Sequence, residues 1–409
     1  MRVFIAIRHS SDPAFYYGGL WSSNFYPALK QLNCEIIESQ VDLLPTSRFM
    51  QVPNQFTAAE KEVRAQTTQR IIDEVRKAHL ERPIDLFLSY FYNSHFDPQG
   101  FTDIHSLGIP TVNFYCNSIH QFELVSAVAA KAMFSWHSER DARARYLQVG
   151  ANPLWIQMGA DPQAYYPMTG ITRQSKACFI GQRYADRDRQ LAALIKHQVP
   201  VDIYGSGWKQ HSIDSSAPSV KLPEPEYLGR RQLQPGTLNS YANVVWNIWK
   251  DHGILKGIQK TKDQVQYRQQ SRQLAPTVAA AARGFADNLS SVFAQYEIVL
   301  NFSNVWADGY PGSLLIPHVR LRDFEAPMSR TCYLTGHNDE IAEFYKLGQE
   351  IDTYQDFDEL LDKTQFYLTH SSEAEKLREA GYQRAVACHT WRNRFEQLFQ
   401  QISLKTING

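Results

Sequence analysis

Apolar and polar positions along the chain follow two rhythms: short apolar runs, and longer stretches with apolar residues three and four apart. The runs at residues 2–7, Cys34 to Val41, Ile84–Tyr90, Thr111–Cys116, Ala132–Trp136 and Leu154 to Met158 predict strands. Helical spacing lies between them, with one helix predicted near Ser22 or Ser23. Another is predicted from Thr57 to His79, where Thr57 and Glu60 are spaced for a capping box. The pattern then restarts. Strands are predicted at Ala177–Ile180, Val201–Tyr204, Ile298–Phe302, Thr331–Leu334 and Glu350–Tyr354. Helices are predicted near Asn338–Tyr345, over Asp356–Thr369 and Ser372–Cys388, and from Thr390 to about Leu404. Strand alternating with helix is the signature of a parallel, doubly wound α/β sheet, and it runs twice here.

The turn-rich passage from Gly159 to Pro167 and the polar tract after it separate the two runs. This places a first Rossmann-like domain at residues 1–160, a linker at 161–175, a second domain at 176–388 and a last helix in 389–409. Between Lys221 and Ala286 the rhythm breaks into a Gln-, Arg- and Lys-rich segment with Trp246, Trp249 and Tyr267. It reads as a helical insertion on the second domain, serving as a cap on the parent core. The sharper alternative is a partner, acceptor or membrane-surface contact through residues 240–262, because Lys250, Lys256, Lys260 and Lys262 lie beside the two tryptophans.

Length and charge narrow the picture. The 409 residues suit two domains, and Lys+Arg equals Asp+Glu at 42 each, so no long-range field favours nucleic acid. Five scattered cysteines without a C-x-x-C point to a reducing compartment, with neither disulfides nor zinc. The opening MRVFIAIRHSSD reads as a strand, not a secretory signal, and no apolar run has the length of a membrane span. A soluble, cytoplasmic protein is expected, with the insertion as a peripheral contact to the inner membrane face in the sharper reading.

The chemistry concentrates between Ile298 and His337. A buried strand, a loop with Gly309, Pro311 and Gly312, and a polar segment with Arg320, Arg322 and Glu325 precede the next strand. Ligands collect at the carboxyl ends of parallel strands. Guanidinium forks match phosphate oxygens there, and a carboxylate accepts both hydroxyls of a ribose. The pattern LN-S, R-L-R-D-F-E-A-P and the I-x-x-Y-x-D strand-turn resembles the C-terminal domain of CgeB-like glycosyltransferases. The G-x-D-x-x-x-Y-x-P passage at Gly159 and the His389-Thr390-Trp391 ending with Arg394 resemble the same family. The resemblance implies two Rossmann-like domains facing across a cleft (the GT-B type), with the final helix crossing back to the first domain. It also implies that Glu325 sits on the donor ribose, with basic neighbours on the diphosphate. Many relatives carry a second glutamate eight positions earlier, where this chain has Pro317.

Donor contacts are further expected from Gly181 and Arg183 after strand Ala177–Ile180, and from Gly205 and Gly207, which let a phosphate approach the backbone. Arg183 reads equally well as a solvated loop arginine, and Arg322 with Glu325 as an i,i+3 ion pair. Candidates for a general base are His9 and Asp12 after the first strand and His120 after Thr111–Cys116. His95, after Ile84–Tyr90, is a fourth, and each histidine has a structural role as its competing reading. Asp186-Arg187-Asp188 lies at a helix start and does not serve as a metal motif. The expected function is metal-independent transfer of a hexosyl or related sugar from a nucleotide-sugar donor to a glycan, lipid-linked or protein acceptor, without a cofactor. The alternative, suggested by Pro317, is a catalytically silent glycan- or nucleotide-binding protein.

Overall fold

The computed structural model describes residues 1–7, 20–52, 54–209 and 254–404, without the side chains of Ile254 and Lys256. The chain divides into two compact units. Met1–Asp161 and His389–Gly409 form the first, and the described residues from Pro162 to Cys388 form the second.

Unit 1 is a six-stranded sheet in the order β2-β1-β3-β4-β5-β6. Its strands are β1 (Arg2–Ala6), β2 (Glu35–Glu38), β3 (Leu86–Ser89), β4 (Thr111–Tyr115), β5 (Phe134–His137) and β6 (Pro153–Trp155). All neighbours pair in parallel, with Val3 opposite Leu86 and Val112 opposite Phe134. The central strands β3 and β4 are buried at every position, as expected of a sheet covered on both faces. Helix α1 (Leu20–Gln31) buries Trp21, Asn24, Phe25, Ala28 and Leu29, one apolar stripe at helical spacing. It begins ahead of the serines expected to cap it, so Ser23 bonds back to the Leu20 carbonyl at 2.9 Å. Helix α2 (Ala58–Glu81) carries the reciprocal Thr57–Glu60 capping box. The C-terminal helix Trp391–Gln401 completes the core. Phe25 lies 5.1 Å from Trp391 and 5.3 Å from Phe395, and Phe114 lies 4.7 Å from Trp136, ring centre to ring centre. Each such aromatic removes about 1.5–3 kcal/mol worth of apolar surface from water.

Unit 2 repeats the plan in the order β14-β13-β10-β7-β8-β9. Its parallel strands are β7 (Gln174–Ile180), β8 (Val201–Tyr204), β9 (Ala282–Gly284), β10 (Tyr296–Asn301), β13 (Tyr333–Gly336) and β14 (Asp352–Tyr354). Ala177, Phe179, Ile298 and Leu300 pack with Leu191 and Leu194 in its core. Three local expectations are corrected. Ala282–Gly284 is a strand of the parent sheet and not insertion, missed because Ala-Arg-Gly carries no β-branched signal. The loop after β10 contains an antiparallel hairpin of β11 (Val305–Trp306) and β12 (Leu315–Ile316). Asn338–Tyr345 holds only a single 3₁₀ turn, Ile341–Glu343. Of the segment expected as a helical insertion, residues 254–280 form one helix, and Trp246, Trp249 and Lys250 lie outside the described residues. Among the described residues no helix is long and apolar enough to cross a membrane.

Candidate functional site

In unit 2 the strand order reverses between β7 and β10, the place where open α/β sheets bind ligands. Helix α4 (Arg187–Lys196) follows β7, and its first residue spans that point. Arg187 donates to the Gln182 carbonyl after β7 at 2.9 Å and to the Phe302 carbonyl after β10 at 3.4 Å. Its guanidinium lies over the rings of Phe179 and Tyr184, 5.4 and 5.8 Å from their centres. The side chain is 8% exposed, and its Nε has no partner among the described residues. Burial, then the nearby Arg320 charge, lower its pKa to about 9. The cation is thus bonded to main-chain carbonyls, with the Asp186 charge nearby partly offsetting its burial. The positive end of the ten-residue helix α4 adds to the field.

The RLRDFE segment supplies the neighbouring charges. Helix α6 (Arg322–Met328) follows the hairpin. Arg322 pairs with Glu325 at 2.7 Å and covers the Phe293 ring at 5.3 Å. The other Glu325 oxygen accepts the Tyr165 hydroxyl at 2.8 Å, and the residue is 5% exposed. Arg320 donates to the Asn304 carbonyl at 3.2 Å. Asp323, which sequence reasoning did not single out, holds the segment in place. It accepts the Arg320 amide at 2.6 Å, Tyr333 at 2.8 Å, Thr335 at 3.1 Å and Asn301 at 3.3 Å. Burial raises its pKa despite these donors. Tyr165 comes from the expected linker, which is anchored to unit 2 also by the Tyr166 amide on Ser290 at 3.3 Å.

Four other expected donor contacts are occupied by the fold itself. Arg183 is bound to Asp188 at 2.9 Å and to both the hydroxyl and the carbonyl of Ser271 on α5 (Ile254–Ala280). These partners hold it within unit 2, with 16% of its side chain exposed. Gly205 has φ of +121°, and a Cβ there would come within 2.3 Å of the Gly181 carbonyl oxygen, so only glycine fits. Gly181 receives Trp208 Nε1 on that carbonyl at 2.7 Å, and Gly207 lies against the Arg183 side chain. These glycines let the ends of β7 and β8 approach each other. Sequence alone did not separate Arg183 from Arg187. The one available signal was Asp186 at the N-cap position, which makes Arg187 the first helical residue.

In unit 1, His9 and Asp12 lie outside the described residues. His120 sits in the short helix α3 (Ser118–Gln121) at the carboxyl end of β4, half-buried. His95 is fully buried: Nδ1 accepts the Tyr92 amide at 3.2 Å, leaving Nε2 to donate to Ser47 at 3.1 Å. Both nitrogens of this histidine are thus hydrogen-bonded within unit 1. Another, His137 at the end of β5, is fully buried and stacked on Tyr146 with centroids 4.8 Å apart. Its Nδ1 bonds the Glu139 carbonyl at 2.9 Å, and burial lowers its pKa to about 4. Among the described residues no three His, Cys, Asp or Glu side chains group as metal ligands.

Comparisons with known proteins bear on the fold. No curated protein matches the chain. In fold, it is similar to Anabaena Alr3699/HepE, crystallised with UDP and glucose, at 10% identity and a TM-score of 0.52 over 98% of this chain and 99% of that one. The sucrose-phosphate synthase of Thermosynechococcus elongatus aligns at 11% identity and a TM-score of 0.54 over 98% of each chain. A glycosyltransferase from Rickettsia africae ESF-5 aligns at 9% identity and 0.57 over 100% and 99%. The fold is therefore that of the two-domain GT-B glycosyltransferases, and residues 267–400 match the family described as glycosyl transferase-like.

Proposed function

We propose that the protein is a CgeB-like glycosyltransferase that takes a hexosyl or related sugar from a nucleoside diphosphate donor. The observation that carries this reading is Arg187. It is a buried guanidinium that forms no ion pair among the described residues, although the Asp186 charge acts on it, and it is fixed at the β7/β10 switch point beside Arg320. Loss of a nucleoside diphosphate requires stabilisation of its growing negative charge. In this reading Arg187, Arg320 and the start of α4 supply that charge without a divalent ion. Glu325, oriented by Arg322 and Tyr165, faces the ribose hydroxyls through its remaining lone pairs. The match of residues 267–400 and the UDP and UDP-glucose held by the Anabaena neighbour support the same assignment. The acceptor is a glycan, a lipid-linked saccharide or a protein.

Calorimetric titration with UDP tests the site. Arg187→Ala is expected to weaken binding by about 1.5–3 kcal/mol, the value of a charge-assisted hydrogen bond. Binding unchanged in both Arg187→Ala and Glu325→Gln would remove the assignment. Turnover of a nucleotide-sugar panel, with and without EDTA, tests transfer and the role assigned to arginine in place of a metal. A second reading, a binding protein without turnover, is favoured by Pro317 and by the engagement of both Glu325 oxygens. UDP binding without donor hydrolysis or transfer is its signature.

A further inference from the structure

The hairpin inserted between β10 and α6 encloses a second site of unit 2. Its turn, Ala307 to Leu314, closes against the first half of α5 around a cavity of about 350 Å³, within the size range of ligand pockets, about 300–1,000 Å³. The walls are fixed before any ligand arrives. Asp308 forms an ion pair with Lys260 and accepts the Tyr310 amide at 3.0 Å. The Ala307 amide reaches the Leu314 carbonyl at 2.9 Å, and the Ser313 amide reaches the Tyr310 carbonyl at 3.2 Å. Gly312, at φ +88°, brings the turn into backbone contact with α5, since a Cβ there would lie 2.7 Å from the Asp263 carbonyl.

The lining selects a chemistry. Two carboxylates, Asp263 and Asp308, face one ammonium, Lys260, so the pocket is net negative and rejects phosphate or a nucleotide. The buried Gln264 amide adds a donor pair and an acceptor, and the Tyr310 ring and Pro311 add apolar surface. Carboxylates that accept neighbouring hydroxyls, an amide that does both, and a flat apolar face suit a polyhydroxylated ring. Burial opposes ionisation of Asp308, but Lys260 and the Tyr310 amide outweigh it and hold its pKa below the ordinary carboxylate range. We propose that this pocket is a binding subsite for a neutral saccharide. The proposal goes beyond the nucleotide site and does not rest on it. A physical link between the two exists: Trp306, next to the pocket turn, packs on Tyr184 at 6.2 Å, and Tyr184 lies under Arg187.

Saturation-transfer NMR on the full chain with maltose, cellobiose, lactose and N,N′-diacetylchitobiose tests it, each followed by titration. At least one disaccharide is expected to bind, and Asp308→Asn is expected to weaken it tenfold or more while UDP affinity stays unchanged. Should loss of the Lys260 partner unfold Asp308→Asn in a thermal melt, Tyr310→Ala, outside the core, carries the same expectation. Binding of none of the four sugars, or binding that survives Tyr310→Ala, overturns the proposal. UDP binding without sugar binding rejects this subsite alone. Sugar binding without UDP binding rejects the nucleotide site alone.

Discussion

At the carboxyl edge of the first sheet, His95, His137 and Glu139 turn inward: His95 ties Tyr92 to Ser47, His137 stacks on Tyr146, and Glu139 accepts the Ser118 and Ile119 amides. At the corresponding edge of the second sheet, Arg187 donates to two main-chain carbonyls where strand order reverses, and Arg320 donates to a third. Residue types that suggest chemistry in both places therefore do different work. In unit 1 the hydrogen bonds they make run to neighbouring loops, although His137 Nε2 has no hydrogen-bond partner among the described residues. In unit 2 the Arg187 guanidinium bonds main-chain carbonyls and keeps one nitrogen, Nε, without a hydrogen-bond partner among the described residues. The same contrast separates Arg183, in the loop after β7, from Arg187 at the start of α4: the first is tied to Asp188 and Ser271, the second to main-chain carbonyls.

The sharpest way to break this comparison is Trp391→Ala, which removes a buried aromatic from unit 1. Denaturant unfolding is expected to show a loss of about 3–5 kcal/mol, with UDP affinity unaltered under folding conditions. An equal loss of nucleotide affinity would show that the two edges are not separable. His137 comes next. Its folded pKa of about 4 lies below the ordinary 6.5, so its contribution to stability is complete above pH 6.5 and is lost as pH falls toward 4. The difference amounts to about 3 kcal/mol. Urea melts across that window are expected to show the acid loss in wild type and a flatter profile in His137→Asn. Arg187→Ala is expected to weaken UDP binding by about 1.5–3 kcal/mol. By contrast, Arg183→Ala is expected to lower unfolding free energy, because it strands the buried Asp188 carboxylate, and to leave binding nearly intact. At the small end, Arg392→Ala breaks an exposed i,i+4 pair with Glu396, and its effect on unfolding is expected to stay within about 0.5 kcal/mol.

Most of the architecture was legible because buried parallel strands announce themselves. Ile298–Phe302 and Ala177–Ile180 emerge as β10 and as the end of β7, and the Thr57–Glu60 spacing as a real capping box. Strand β9 was hidden because its pairing with β8 comes from the sheet and not from Ala-Arg-Gly itself. Contacts within the candidate site were legible only where they are local in sequence. Local spacing found the Arg322–Glu325 pair, whose partners lie one helical turn apart. It could not find that Ser271, 88 residues away, captures Arg183, or that Phe302 receives Arg187. Asp323 escaped because its importance lies in four donors brought from β10, β13 and the preceding turn.

The helix Trp391–Gln401 has a consequence for how the chain comes off the ribosome. Unit 1 starts at the first residue yet draws Trp391, Phe395 and Phe399 from the last stretch, with all of unit 2 synthesised in between. Until that helix emerges, Trp21, Phe25 and Trp136 lack the rings that cover them, so the N-terminal half waits with aromatic surface bare. The described strands of unit 2 all precede that helix in the chain. Unit 1 therefore completes its core only after unit 2 has been synthesised, and its aromatic surface is exposed to aggregation in that interval.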